Sequence, residues 1–185
     1  MPLARRLLLP LRTRGRVEAA AGARVGRGVV WDVAEGGRVV LAEGAVVGER
    51  CRFHVGRDAR VVVGAGARLG ERCVVAAHER VEVGAGALLG PEVVLLDVDQ
   101  DAADVETPVR LQPLVTAPVV IGERAVLGAT AVVLHGVRVG SGARVGARSV
   151  VRADVPDGAT VLGVPARPPG TPEPRARRLQ RRREQ

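Results

Sequence analysis

From Val119 to Ala166 apolar and polar positions recur with a period of six. Ile121, Leu127, Val133, Val139, Val145 and Val151 stand at six-residue steps, and glycine follows four of them, at Gly122, Gly128, Gly140 and Gly146. Two residues before these aliphatic positions stand small or β-branched residues: Ala125, Ala131, Val137, Ala143 and Ser149. A single strand has period two and a helix period 3.6. A period of six predicts one short strand and one turn per hexad, with three hexads closing a triangular coil. Each coil buries its inward ladder only against its neighbours, so the expected fold is all-β, a solenoid of parallel strands about 4.8 Å apart along the axis.

The same pattern is present earlier. Gly22-Ala23-Arg24-Val25-Gly26 recurs as Gly44-Ala45-Val46-Val47-Gly48, Gly66-Ala67-Arg68-Leu69-Gly70 and Gly86-Ala87-Leu88-Leu89-Gly90. These steps exceed three hexads, so longer corners are expected in the early coils, and about seven coils in all. The ladder breaks once. The interval from Leu95 to Ile121 is longer than the three hexads that would suffice, which predicts an excursion over about 96–118. It carries Asp97, Asp99, Asp101, Asp104 and Glu106 among Pro108, Pro113 and Pro118. Insertions of this kind map to one face of a solenoid, often the binding face.

Composition supports a thin interior. Trp31 and Phe53 are the only aromatics in 185 residues, and there are 24 glycines. A rounded core normally uses more aromatic volume. The net charge of +8 is unevenly placed: residues 1–16 hold five Arg and no acid, residues 167–185 hold seven Arg and two Glu, and residues 17–166 hold 16 Arg against 18 acids. This divides the chain into a basic arm or cap (1–16), the repeat body (17–166) and a disordered Arg-rich tail (167–185). The basic ends read as solvated arms making weak contact with anionic surfaces, with no aromatic platform for specific nucleic-acid binding. No apolar run reaches the ~18 residues of a membrane-spanning helix, and Leu7–Leu9 is too short for a secretory leader. A cytoplasmic location is expected. Cys51 and Cys73 each follow Gly-Glu-Arg and occupy the small inward slot, where a free thiol serves as a small apolar group.

With these motifs, residues 20–167 resemble the hexapeptide-repeat O-acetyltransferases of the maltose, galactoside and polysaccharide type. The resemblance is carried by Pro118-Val119-Val120-Ile121-Gly122, the hexads, Asp154-Val155-Pro156 and Gly163-Val164-Pro165-Ala166-Arg167. It implies a left-handed parallel β-helix, a homotrimer, and clefts between subunits where acetyl-CoA meets a hydroxyl-bearing sugar or glycan. It implies no metal. It places the pantetheine arm along Gly128, Ala129, Gly146 and Ala147, and the phosphates near Arg152 and Arg167, whose guanidinium forks suit them. Val126 stands where the family often has Trp.

Acetyl transfer to an alcohol needs a base, usually histidine. The family's excursion carries Asp-x-Asp-His, then Pro-Ile/Val-Arg, then Gln-Gly. Here Asp97-Val98-Asp99-Gln100 is followed by Pro108-Val109-Arg110 and Gln112-Pro113. Both aspartates are kept, but the histidine position is Gln100, which cannot titrate. Asp97 and Asp99 are expected to orient the acceptor or polarise a base, and Gln100 to hydrogen-bond the acceptor or the thioester carbonyl. Stacking Val75 on Leu95 puts His78 over Val98 and Arg80 over Gln100, which makes His78 the first substitute base. His135, at a corner where the family often has Pro or Arg, and His54, in an early coil, are the other two histidines.

Two further readings compete. Gln100 is compatible with a catalytically impaired relative that binds a ligand or acts as a scaffold. A zinc hydratase on this fold needs three converging histidines, two of them close in sequence, whereas His54, His78 and His135 are all far apart along the chain. The Asp97-x-Asp99-x-Asp101 spacing suggests calcium, but Ala102 and Pro108 replace the Gly and Glu such a loop requires.

Overall fold

The computed structural model describes residues 15–100, 108 and 111–170. The expected basic arm up to residue 14, the tail from residue 171, and Asp101, Asp104 and Glu106 lie outside the described residues. The body is a triangular prism of parallel strands. The first face stacks Val17–Ala19, Arg38–Leu41, Arg60–Val63, Arg80–Val83, Val119–Ile121 and Arg138–Val139. The second runs from Arg24–Val25 through Val46–Val47, Arg68–Leu69, Leu88–Leu89, Val126–Leu127 and Arg144–Val145 to Thr160–Val161. The third stacks Val30–Val33, Arg52–Val55, Val74–Ala77, Val94–Leu96, Val132–Val133 and Val150–Val151. There is no α-helix among the described residues, and none long and apolar enough to cross a membrane. The architecture is a left-handed parallel β-helix.

The inward ladder is the one the hexads name. Ile121, Leu127, Val133, Val139, Val145 and Val151 are buried, as are Ala125, Ala131, Val137, Ala143 and Ser149 in the small slots. Each buried Val or Leu contributes about 1.5–3 kcal/mol. Phe53, stacked on Trp31 with ring centroids 4.5 Å apart, fills the wider early coils. Glycine after the aliphatic position is a matter of close approach: a Cβ on Gly70, Gly90 or Gly128 would overlap the backbone of the next coil.

Two expectations are corrected. The extra residues of the early coils lengthen strands instead of corners: Val30–Val33, Arg38–Leu41 and Arg52–Val55 have four residues, their later counterparts two or three. The excursion is also longer than the simple spacing suggests. Leu95 pairs with Val133 and not with a residue near Ile121, so the coil that carries the excursion has about twice the length of three hexads.

Cys51 and Cys73 are free and buried in neighbouring coils. Their thiols donate to the carbonyls of Gly70 and Gly90. The hydrogen bond between the two side chains, together with burial, pushes the Cys73 thiol up, so it stays protonated.

Candidate functional site

The excursion opens after Val94–Leu96 and rejoins the prism at Val119–Ile121. Its root is an antiparallel pair, Val98–Gln100 against Leu114–Thr116, with Asp99 opposite Val115 and Gln100 opposite Leu114. Ala117 N–H donates to the Asp97 carbonyl at 2.9 Å and closes the base of this hairpin.

Asp97 is fully buried. Its Oδ1 accepts from His78 N–H at 2.7 Å, and its Oδ2 accepts from Glu79 and Arg80 N–H at 2.8 and 2.7 Å. Other corners of the prism hold four residues, such as Ala34 to Gly37. Between Val74–Ala77 and Arg80–Val83 stand only His78 and Glu79. The next coil has departed into the excursion, so these N–H groups have no strand to bond, and a carboxylate meets them in its place. Asp97 thus holds the corner, and the His78 Nδ1 lies 4.0 Å from its Oδ1.

The expected stacking of His78 on Val98 and Arg80 on Gln100 is not found. Coil-to-coil pairing ends at Leu96 opposite Ala76, and the strand beginning at Arg80 pairs with Val119–Ile121 instead. His78 nevertheless sits at the excursion's root. Its Nδ1 is enclosed and has no hydrogen-bond partner among the described residues. Its ring lies 5.5 Å from that of His54, whose Nδ1 is 2.6 Å from Asp32 Oδ2.

Asp99 and Gln100 stand on the exposed side of the hairpin. Gln100 N–H donates to Asp99 Oδ1 at 2.8 Å. Asp99 Oδ2 faces His135 Nε2 at 3.8 Å. His135 belongs to the corner between Val132–Val133 and Arg138–Val139. Gly136, with φ of 72°, donates to the carbonyl of Ala117, the residue that ends the hairpin. Sequence reasoning gives His135 little weight. The available signal is the step of three hexads from Ala117 to His135, which makes the two coil-to-coil neighbours.

Gly128 and Ala129 lie on the corner between the second and third faces, with Gly146 and Ala147 on the same corner one coil later. The Ala129 and Ala147 N–H groups have no hydrogen-bond partner among the described residues. They are two donors about 4.8 Å apart, suited to the amide carbonyls of an extended pantetheine chain. Arg152 follows Val150–Val151 at the excursion's corner, and Arg167 pairs with Leu162 across the last turn; both are exposed. The structure therefore joins His78 with Asp97, and His135 with Asp99 and Gln100. Within one chain it leaves Gly128, Ala129, Gly146 and Ala147 on a different corner. Among the described residues no group of three His, Cys, Asp or Glu is placed to hold a metal, and the three Asp97 hydrogen bonds leave that carboxylate in a structural role.

The coils and their excursion define a β-solenoid built on a six-residue repeat. Residues 118–153 match the family described as bacterial transferase hexapeptide (six repeats). A 2,3,4,5-tetrahydropyridine-2,6-dicarboxylate N-acetyltransferase of Staphylococcus aureus (strain JH9) is 49% identical over 57 residues, which cover 31% of this chain and 24% of that protein. The match thus spans about a quarter of the relative's length. Among solved structures, a hexapeptide-repeat acetyltransferase of Vibrio cholerae O1 biovar eltor, complexed with acetyl coenzyme A, superposes with a TM-score of 0.64 at 20% identity, over 92% of this chain and 78% of that one. A mutant N-acyltransferase from Bacillus cereus, in complex with dTDP and coenzyme A, gives 0.65 at 18% identity, over 87% and 90%. At these identities the likeness is one of fold.

Proposed function

We propose that this protein is a CoA-dependent acyltransferase that moves an acetyl group from acetyl-CoA to a hydroxyl of a sugar or glycan-type acceptor. The observation that carries the reading is the break in the prism after Leu96, whose root is flanked by two imidazole–carboxylate pairs, His78 with Asp97 and His135 with Asp99. An alcohol becomes a competent nucleophile when a neighbouring group takes its proton. The remainder of the excursion root, Gln100 on the exposed strand, supplies an amide able to hydrogen-bond the acceptor or the thioester carbonyl.

The donor is assigned to the corner carrying Gly128, Ala129, Gly146 and Ala147, where small residues and free N–H groups admit an extended chain. Arg152 and Arg167 are exposed and suited to phosphates. The excursion springs from a different corner, so a complete site requires a second copy of the chain. This supports the homotrimer, with the cleft between subunits. The hairpin also exposes Leu111, Leu114 and Val115, an apolar surface consistent with such packing.

Two specific observations favour other acceptors or no turnover. The Staphylococcus relative is an N-acetyltransferase, which argues for testing amines beside alcohols. Gln100 occupies the position expected to carry the base, which favours an impaired, ligand-binding relative. The test is thiol release from acetyl-CoA by the full chain, with a panel of sugars, glycans and aminosugars. Thiol release with hydroxyl acceptors supports the proposal, and release confined to amines reassigns the acceptor. Silence in the native chain with turnover in Gln100→His establishes the impaired relative instead.

A further inference from the structure

The two imidazole–carboxylate pairs that flank the excursion are not equivalent. In the first, the Asp97 carboxylate is wholly buried and carries three backbone N–H bonds that tie down a two-residue corner. The His78 side chain is 27% exposed, and its ring leans toward His54 in the preceding coil. In the second, the carboxylate is open, with a side-chain exposure of 62% for Asp99, against a half-buried His135 at 33%. Asp99 stands beside Gln100, with Oδ1 fixed by the Gln100 N–H and Oδ2 turned to the imidazole.

The His135 corner is also fixed to the base of the hairpin. Gly136 N–H donates to Ala117 O at 3.0 Å, and Ala117 N–H donates to Asp97 O at 2.9 Å. Leu134 N–H donates to Val151 O at 3.0 Å, so the corner is held from the following coil as well. A half-buried imidazole on a rigid corner, aimed at an exposed carboxylate of the excursion, has the geometry of an oriented base.

We propose that His135 is the general base of the acyl transfer, with Asp99 as the residue that positions it; this rests on the acyltransferase reading above. The histidine absent at Gln100 is then replaced from the next coil, while the carboxylate expected beside it stays in the excursion. With Nε2 turned to Asp99, the ring carries its proton on Nε2 and donates toward Oδ2. Nδ1 is left to accept. The acceptor oxygen forms its bond to the acetyl carbon, and its proton passes to Nδ1. The carbon–sulfur bond breaks, and the leaving thiolate takes that proton, so CoA departs as the free thiol and the ring returns to its starting state. The 3.8 Å separation is longer than a hydrogen bond, as is common for such pairs before substrate is bound.

The test uses the full chain and two readouts. In thiol release, His135→Gln is expected to lower kcat by about 10²–10⁴, with KM for acetyl-CoA and the melting temperature unchanged. Asp99→Asn is expected to lower kcat by about 10–100-fold. Imidazole nitrogen NMR, tractable with only three histidines, is expected to show His135 protonated on Nε2 and perturbed by Asp99→Asn. Thiol release that survives His135→Gln, or a loss that falls on His78→Gln alone, overturns the base assignment while leaving the transferase standing. No thiol release from the native chain removes the transferase reading and the base with it. A His135 ring indifferent to Asp99→Asn overturns the positioning role.

Discussion

The Asp97 carboxylate occupies the place of a missing strand above His78. It accepts the backbone N–H of His78 at 2.7 Å and those of the next two residues, at the point where the following coil leaves the prism. The first acidic residue of the excursion is therefore part of the scaffold. Its two oxygens do for a shortened corner what carbonyls of the next coil do elsewhere, as where Gly90 N–H meets Leu127 O at 2.8 Å.

Asp97→Ala leaves three part-buried N–H groups without their acceptor. A loss of about 2–4 kcal/mol is expected, since each unpaired buried donor costs about 1–3 kcal/mol and such costs do not simply add. Denaturant unfolding checks this. Asp99→Asn, on the exposed strand, is expected to change stability by no more than about 0.5 kcal/mol.

Gly128→Ala places a Cβ against the backbone nitrogen of Ala147. The coils cannot separate without breaking the Gly128 N–H to Val145 O bond of 2.8 Å. A destabilisation of about 1–3 kcal/mol is expected from overpacking, together with weaker acetyl-CoA binding measured by calorimetry.

Both cysteines are expected to resist a thiol reagent in the folded chain and to react in denaturant. Cys73 is held protonated by its hydrogen bond with Cys51 and by burial, and the thiolate is the reactive form; the same bond pushes the Cys51 thiol down, so Cys51 is shielded by its complete burial alone. Rapid modification of the native chain would contradict this arrangement.

The native mass is expected at three times the 19.3 kDa of the chain, by light scattering. Leu114→Glu, on the exposed edge of the hairpin, is expected to lower that mass and the transfer rate together. A monomer with full activity contradicts a site shared between subunits.

The prism was legible because its rule is local. Ile121, Leu127 and Val133 repeat at every sixth position, and a coil has no other way to bury them. The lengthened early strands were less so, since the surplus over three hexads can be divided between strands and corners in several ways. Only hydrogen-bond registers such as Val39 on Val61 and Leu41 on Val63 decide it. The role of Asp97 was hidden because it depends on a two-residue corner and on the direction in which the chain departs. The contact of Asp99 with His135 joins two segments far apart in sequence, and nothing in either alone announces it. The coil step from Ala117 does, once the excursion's end is known.

The most direct measurement is transfer of an isotopically labelled acetyl group from acetyl-CoA, followed by mass spectrometry of the acceptor. The label is expected on an acceptor oxygen, in an amount that falls when His135 is replaced by Gln. An acceptor panel that emerges unlabelled, with acetyl-CoA intact beside the folded native chain, contradicts acyl transfer by this protein.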